Sequence, residues 1–156
     1  MQRRTDIEGL RAIAVLAVLL FHAEVPGLAG GYVGVDVFFV VSGFLITSLL
    51  VTEKESSGSI SLSSFYARRV RRLLPVSAFV AVSTLIASWI WLEPLRLRGL
   101  ANDVLAVATF SSNFVFANRG ADYLQSTLPP SPLQHYWSLA VEEQFYVVWP
   151  LLIALL

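Results

Sequence analysis

Long apolar runs alternate with short charged or small-residue segments along this chain. The apolar blocks are Leu10 to Ala23, Val35 to Val51, Val76 to Leu92, Leu100 to Ala117, and a last one that starts near Phe145 and is still apolar at Leu156. Blocks of this kind predict membrane helices, each of which needs roughly 20 residues to cross a bilayer. The third block has Ser77, Ser83, Thr84 and Ser88 as its small polar residues. The fourth is broken by Asn102, Asp103, Thr109, Ser111, Ser112 and Asn113. The last has no cap, turn or charge after it, which reads as the N-terminal piece of a longer protein. Nothing marks a boundary between soluble domains, so residues 1–156 are read as one truncated membrane domain. The expected fold is all-α: a polytopic transmembrane helix bundle with about four to five membrane segments, the chain ending inside a helix.

Composition supports this reading. Hydrophobic residues make up 56% and charged residues 14%, against about 45–50% and about 25% in a soluble domain. Mean hydropathy is +0.67. The formal net charge of zero implies no nucleic-acid partner, and the absence of cysteine excludes disulfides and thiolate chemistry. Arg3 and Arg4 before an apolar run, with Gly27-Leu28-Ala29 after it, could pass for a cleavable leader. Against this, Asp6, Glu8, Arg11 and His22 interrupt or flank the run, and further membrane segments follow.

Arg3, Arg4 and Arg11 precede or begin the first block, and neither Lys nor Arg lies between the first two blocks. Lys54, Arg68, Arg69, Arg71 and Arg72 lie between the second and third. The positive-inside rule then puts the N-terminus and the 52–75 loop in the cytoplasm and the 24–34 loop outside, with the cell (inner) membrane as the location. Beyond the third block the rule weakens. A crossing by the fourth would bring segment 118–141 inside, whereas an interfacial or re-entrant fourth block would leave it outside. The polar interruptions favour the second.

Arg11 and His22 carry the clearest chemical signal. Eleven helical steps return to within roughly 20° of the starting direction and rise about 16 Å, so both lie on one face of the first helix. An ionisable residue deep in a bilayer is costly and suggests a functional site. A packed, hydrogen-bonded histidine is the plainer alternative. Gly30-Gly31 and Gly34 permit a tight connection and close backbone approach to the second helix. Asp36 falls where a helix dipole favours a carboxylate, and Ser42-Gly43 suits helix packing.

Ser61 to Leu74 reads as a short cytoplasmic helix, capped by Ser61 or Ser63 and ending at Pro75. Arg68/Arg71 and Arg69/Arg72 are i,i+3 pairs, each able to grip an anion, since guanidinium groups bind phosphate bidentately. A topogenic cluster touching anionic lipid is the alternative. Pro129-Pro130-Ser131-Pro132 stiffens the approach to the last block. There Ser138 could cap a helix, Glu142 and Glu143 fall in its early turns, and Tyr136, Trp137 and Tyr146 fit an interfacial belt. Glu142 or Glu143 could face the bundle and meet His22.

These groups permit acyl transfer. A neutral imidazole takes the proton of a hydroxyl as it attacks a thioester, and a carboxylate commonly orients the ring. Gly-rich nucleotide loops and Cys/His metal spacings are absent from the sequence, so no metal is expected. A proton-coupled transporter in which His22 and the acids relay protons is a competing reading, as is an inactive fragment.

Several segments closely resemble the acyltransferase family 3 membrane proteins, which include O-acetyltransferases of lipopolysaccharide, peptidoglycan and other glycans. They are Asp6-Ile7-Glu8-Gly9-Leu10-Arg11-Ala12, the Arg-x10-His spacing ending at His22, Gly34-Val35-Asp36-Val37-Phe38-Phe39 with Ser42-Gly43-Phe44-Leu45, the Arg-x-x-Arg cluster, and Trp137-Ser138-Leu139-Ala140-Val141-Glu142-Glu143-Gln144-Phe145-Tyr146. The resemblance runs from about residue 4 to the end. It implies a bundle of about ten helices, fewer than half of them in this sequence, with later helices and any fused esterase-like domain lying beyond it. It further implies an enzyme moving an acetyl or other acyl group from acetyl-CoA or another acyl-CoA to a hydroxyl of a cell-envelope polysaccharide or glycolipid. Its partners would be that donor, the glycan acceptor, membrane lipid and the remaining helices. By this resemblance Arg11 and His22 are the essential pair and His22 the acid/base. Arg68, Arg69, Arg71 and Arg72 serve the acyl-CoA side, and Glu142 and Glu143 form the acidic motif.

Overall fold

The computed structural model describes residues 4–122 and 129–155, and every regular element among them is helical. Arg3, Leu156 and residues 123–128 of segment 118–141 lie outside the described residues. The elements are α1 (Thr5–His22), a 3-10 helix (Ala29–Val33), α2 (Gly34–Ser57), α3 (Leu62–Trp91), α4 (Pro94–Ala108), α5 (Ser112–Ala121) and α6 (Tyr136–Leu155). Among the described residues three stretches are long and apolar enough to cross a membrane: Ala29–Ser57, Leu62–Trp91 and Tyr136–Leu155. The first block does form a helix, but its 18 residues include Asp6, Glu8 and Arg11.

The fourth block is not one helix. It is divided at Thr109–Ser111, where Phe110 takes a φ of 50°. Thr109 Oγ1 donates to the Leu105 carbonyl at 2.9 Å and the Ser111 amide to the Ala106 carbonyl at 2.8 Å, which closes α4 before α5 begins. At 15 and 10 residues, α4 and α5 are each shorter than the roughly 20 residues a crossing needs.

The expected helix stop at Pro75 is also corrected, because α3 runs unbroken from Leu62 to Trp91. Proline removes one backbone donor and crowds the carbonyl four residues earlier. Continuing the helix forfeits that one bond, whereas ending it would leave the carbonyls of the whole last turn unpaired, so continuing is the smaller cost. Ser61 does take the N-cap position, but its hydroxyl donates to Ser64 Oγ at 2.9 Å instead of capping an amide. Ser138 is not a cap either. The helix starts two residues earlier, and Ser138 Oγ donates back to the His135 carbonyl at 3.2 Å.

The chain forms two compact units: Met1–Ile60 with Ile153–Leu156, and Ser61–Leu152. In the first, α1 and α2 run antiparallel with glycine at their contact. A Cβ on Gly31 would strike the Ala17 carbonyl and come within 2.8 Å of Phe21 Cβ. One on Gly34 would strike the Ala14 carbonyl and come within 2.8 Å of Val18 Cγ2. Only glycine allows this approach, as the sequence suggested, and Ala14 and Ser42 are buried. Lys54 Nζ donates to the Ile153 carbonyl at 3.2 Å, setting a cation on the C-terminal end of α6.

In the second unit, Leu100, Val107 and Leu133 make a small buried core, with Leu85, Val104, Phe116 and Tyr136 against it. Tyr66 Oη donates to the Val147 carbonyl at 2.8 Å and Tyr136 Oη to the Ser77 carbonyl at 2.9 Å. These two bonds fix α3 and α6 as an antiparallel pair in which α6 lies along the arginine-bearing half of α3. Ser112, fully buried, donates to the Tyr136 carbonyl at 3.0 Å. Asn113 and Gln144 exchange amide hydrogen bonds of 3.1 and 3.0 Å, and Gln144 also donates to the Phe110 carbonyl at 2.7 Å. Buried Asp103 on α4 pairs with Arg119 on α5 at 2.5 Å.

Candidate active site

The first unit holds Arg11 and His22 on α1. The Arg11 guanidinium lies 5.8 Å from the centre of the Phe38 ring on α2, a cation–π distance that seats it at the helix contact. His22 ends α1 with its ring exposed, edge-on to Phe21 at 5.2 Å. Its Nδ1 lies 2.8 Å from the Val18 carbonyl. A carbonyl oxygen can only accept, so Nδ1 is the donor in this contact. The backbone of the same helix thus helps to orient the ring. Asp36 is exposed in the first turn of α2.

The second unit brings together two motifs far apart in sequence. Arg69 lies over the Tyr146 ring at 3.8 Å and near the Phe65 ring at 5.7 Å. Tyr146 Oη donates a short hydrogen bond to Glu142 Oε1, one turn earlier on α6. Glu143 is half-buried, and its Oε1 is buried without a hydrogen-bond partner among the described residues. Arg68, Arg71 and Arg72 are exposed, and Arg71 Nε donates to the Ala67 carbonyl at 3.2 Å. The four arginines therefore divide, with Arg69 turned to α6 and the other three outward.

Tyr146 is 3% exposed and central to this cluster. Its position four residues after Glu142 on a helix was the signal available for that contact. His22 belongs to the first unit and Glu142 and Glu143 to the second.

Ionisable side chains set among helices apolar enough to cross a bilayer define a membrane protein with a polar site. The family model described as an acyltransferase domain matches residues 4–156, and the chain belongs to that family. It is 42% identical over 145 residues to the peptidoglycan O-acetyltransferase OatA of Listeria monocytogenes, a match covering 93% of this chain and 23% of that protein. It is 39% identical over 150 residues to the O-acetyltransferase OatA of Staphylococcus aureus, covering 96% and 24%. A putative O-acetyltransferase of the same species is 38% identical over 156 residues, covering 100% and 26%. The chain thus spans about a quarter of the length of these curated relatives. No solved structure matches the chain.

Proposed function

We propose that this chain is the N-terminal part of a membrane O-acyltransferase that moves an acetyl or similar group from acyl-CoA to a hydroxyl of a cell-envelope glycan. Peptidoglycan is the favoured acceptor, from the name of the Listeria relative. The observation that carries the reading is the setting of His22 at the end of α1, with Nδ1 donating to the Val18 carbonyl. In this role Nε2 takes the proton of the attacking hydroxyl, the oxygen forms a bond to the thioester carbon, and the thiolate of CoA leaves. Arg11 acts with His22 from the same helix face. Exposed Arg68, Arg71 and Arg72 suit the donor's phosphates, and Glu142 and Glu143 are assigned to the same reaction as its acidic motif. The arginine distribution favours a cytoplasmic N-terminus in the inner membrane.

The test is His22→Ala in the intact protein, assayed as transfer of radiolabelled acetyl from acetyl-CoA in membranes at matched expression. Removing a general base is expected to lower the rate about 10²- to 10⁴-fold. Transfer at the wild-type rate would refute the role of His22.

A further inference from the structure

Tyr146 has no part in the transfer step proposed for this chain, although it is buried at the centre of its cluster. Its ring is covered by the Arg69 guanidinium at 3.8 Å, with Phe65, itself 2% exposed, on the arginine's other approach. Its hydroxyl is spent on Glu142 Oε1. A cation over a phenol ring draws electron density toward itself, so the O–H becomes a stronger donor. A hydrogen bond to a carboxylate is charge-assisted and stronger than a neutral one. The two contacts therefore reinforce each other through one side chain. The bonds of Tyr66 and Tyr136 to α6 and α3 backbone hold the helices in the register that makes this possible.

We infer that Tyr146 is a positioning residue for acyl transfer, aligning Glu142 through its hydroxyl and seating Arg69 through its ring. This rests on the acyltransferase reading of the same site. The two halves of the side chain separate by substitution. Tyr146→Phe keeps a ring beneath Arg69 and deletes the donor to Glu142. Tyr146→Leu deletes both. The phenylalanine variant is expected to lose about 10- to 100-fold in kcat with KM for acetyl-CoA unchanged, the size of effect for a lost hydrogen bond to a charged group. The leucine variant is expected to raise that KM as well, because the arginine nearest the donor-binding cluster loses its seat.

The deciding experiment is a double-mutant cycle of Tyr146→Phe with Glu142→Gln in the intact protein. Initial rates are read in membranes, and melting temperatures are read in detergent. Support requires that Tyr146→Phe cost nothing further in kcat once Glu142 is already Gln. Unchanged kcat in Tyr146→Phe, or equal losses in both backgrounds, overturns the positioning role while leaving an active wild type and the acyltransferase reading intact. Coupling seen in melting temperature but not in kcat makes the contact purely structural and overturns it too. A wild-type protein that transfers no acyl group from any acyl-CoA refutes the acyltransferase reading, and the positioning role falls with it.

Discussion

At His22 a backbone carbonyl of the same helix holds the ring, and it can do so because the residue ends that helix. Val18 lies four positions earlier, where a side chain on the last turn reaches back along the axis. The face shared by Arg11 and His22 was readable because it depends only on helical pitch. The partner of Asp103 was not. Arg119 reaches it from another helix, across a corner whose left-handed residue is Phe110, not the glycine that usually announces such a turn. Asp103 has a side chain 3% exposed, and that of Arg119 is 33% exposed. Arg119→Ala is thus expected to strand a buried carboxylate. A loss of about 1–3 kcal/mol is expected, below that of a fully enclosed pair because solvent already screens the arginine. Thermal unfolding in detergent measures it. A melting temperature equal to wild type would mean that the pair contributes nothing to the α4–α5 arrangement.

The helices themselves depend on small residues at close contacts and on polar residues at corners. Gly31 and Gly34 were identifiable in advance as points of close approach, yet the sequence did not distinguish them from Gly30. The structure does, since a Cβ on Gly30 meets nothing within 4 Å. Gly34→Val should force α2 away from the Ala14 carbonyl and cost at least about 3 kcal/mol, the upper end for overpacking, because backbone cannot yield as a side chain can. Gly30→Ala should melt within a degree or so of wild type. Equal melting of Gly34→Val and wild type would refute the α1–α2 contact. Pro75 misled the reading for a related reason. Proline forfeits a single hydrogen bond, and the helix-forming residues on both sides of it carry α3 through. The division of the fourth block was signalled by its polar residues, but the site of the break depended on hydroxyl-to-carbonyl bonds that spacing does not reveal.

For the molecule as a whole, apolar blocks were enough to indicate a helical membrane protein, because the bilayer sets segment length. The juxtaposition of the arginine cluster with the acidic motif was hidden, since it follows from the α3–α6 register. The proposed topology is open to a clean test, as the chain contains no cysteine. A single Cys at Ala29 should react with an impermeant maleimide in intact cells, and one at Ser59 only after permeabilisation. The reverse pattern would invert the assignment. There is also a consequence for the order in which the protein is made. Lys54 reaches a carbonyl on α6 99 residues later in the chain. At a synthesis rate of about 5–20 residues per second, its ammonium leaves the ribosome roughly 5–20 s before that partner exists. The Phe110 carbonyl, the Ser112 hydroxyl and the Asn113 amide also wait for α6 to emerge. During that interval water or the membrane insertion machinery meets these polar groups, and α6 is the piece whose arrival replaces those contacts.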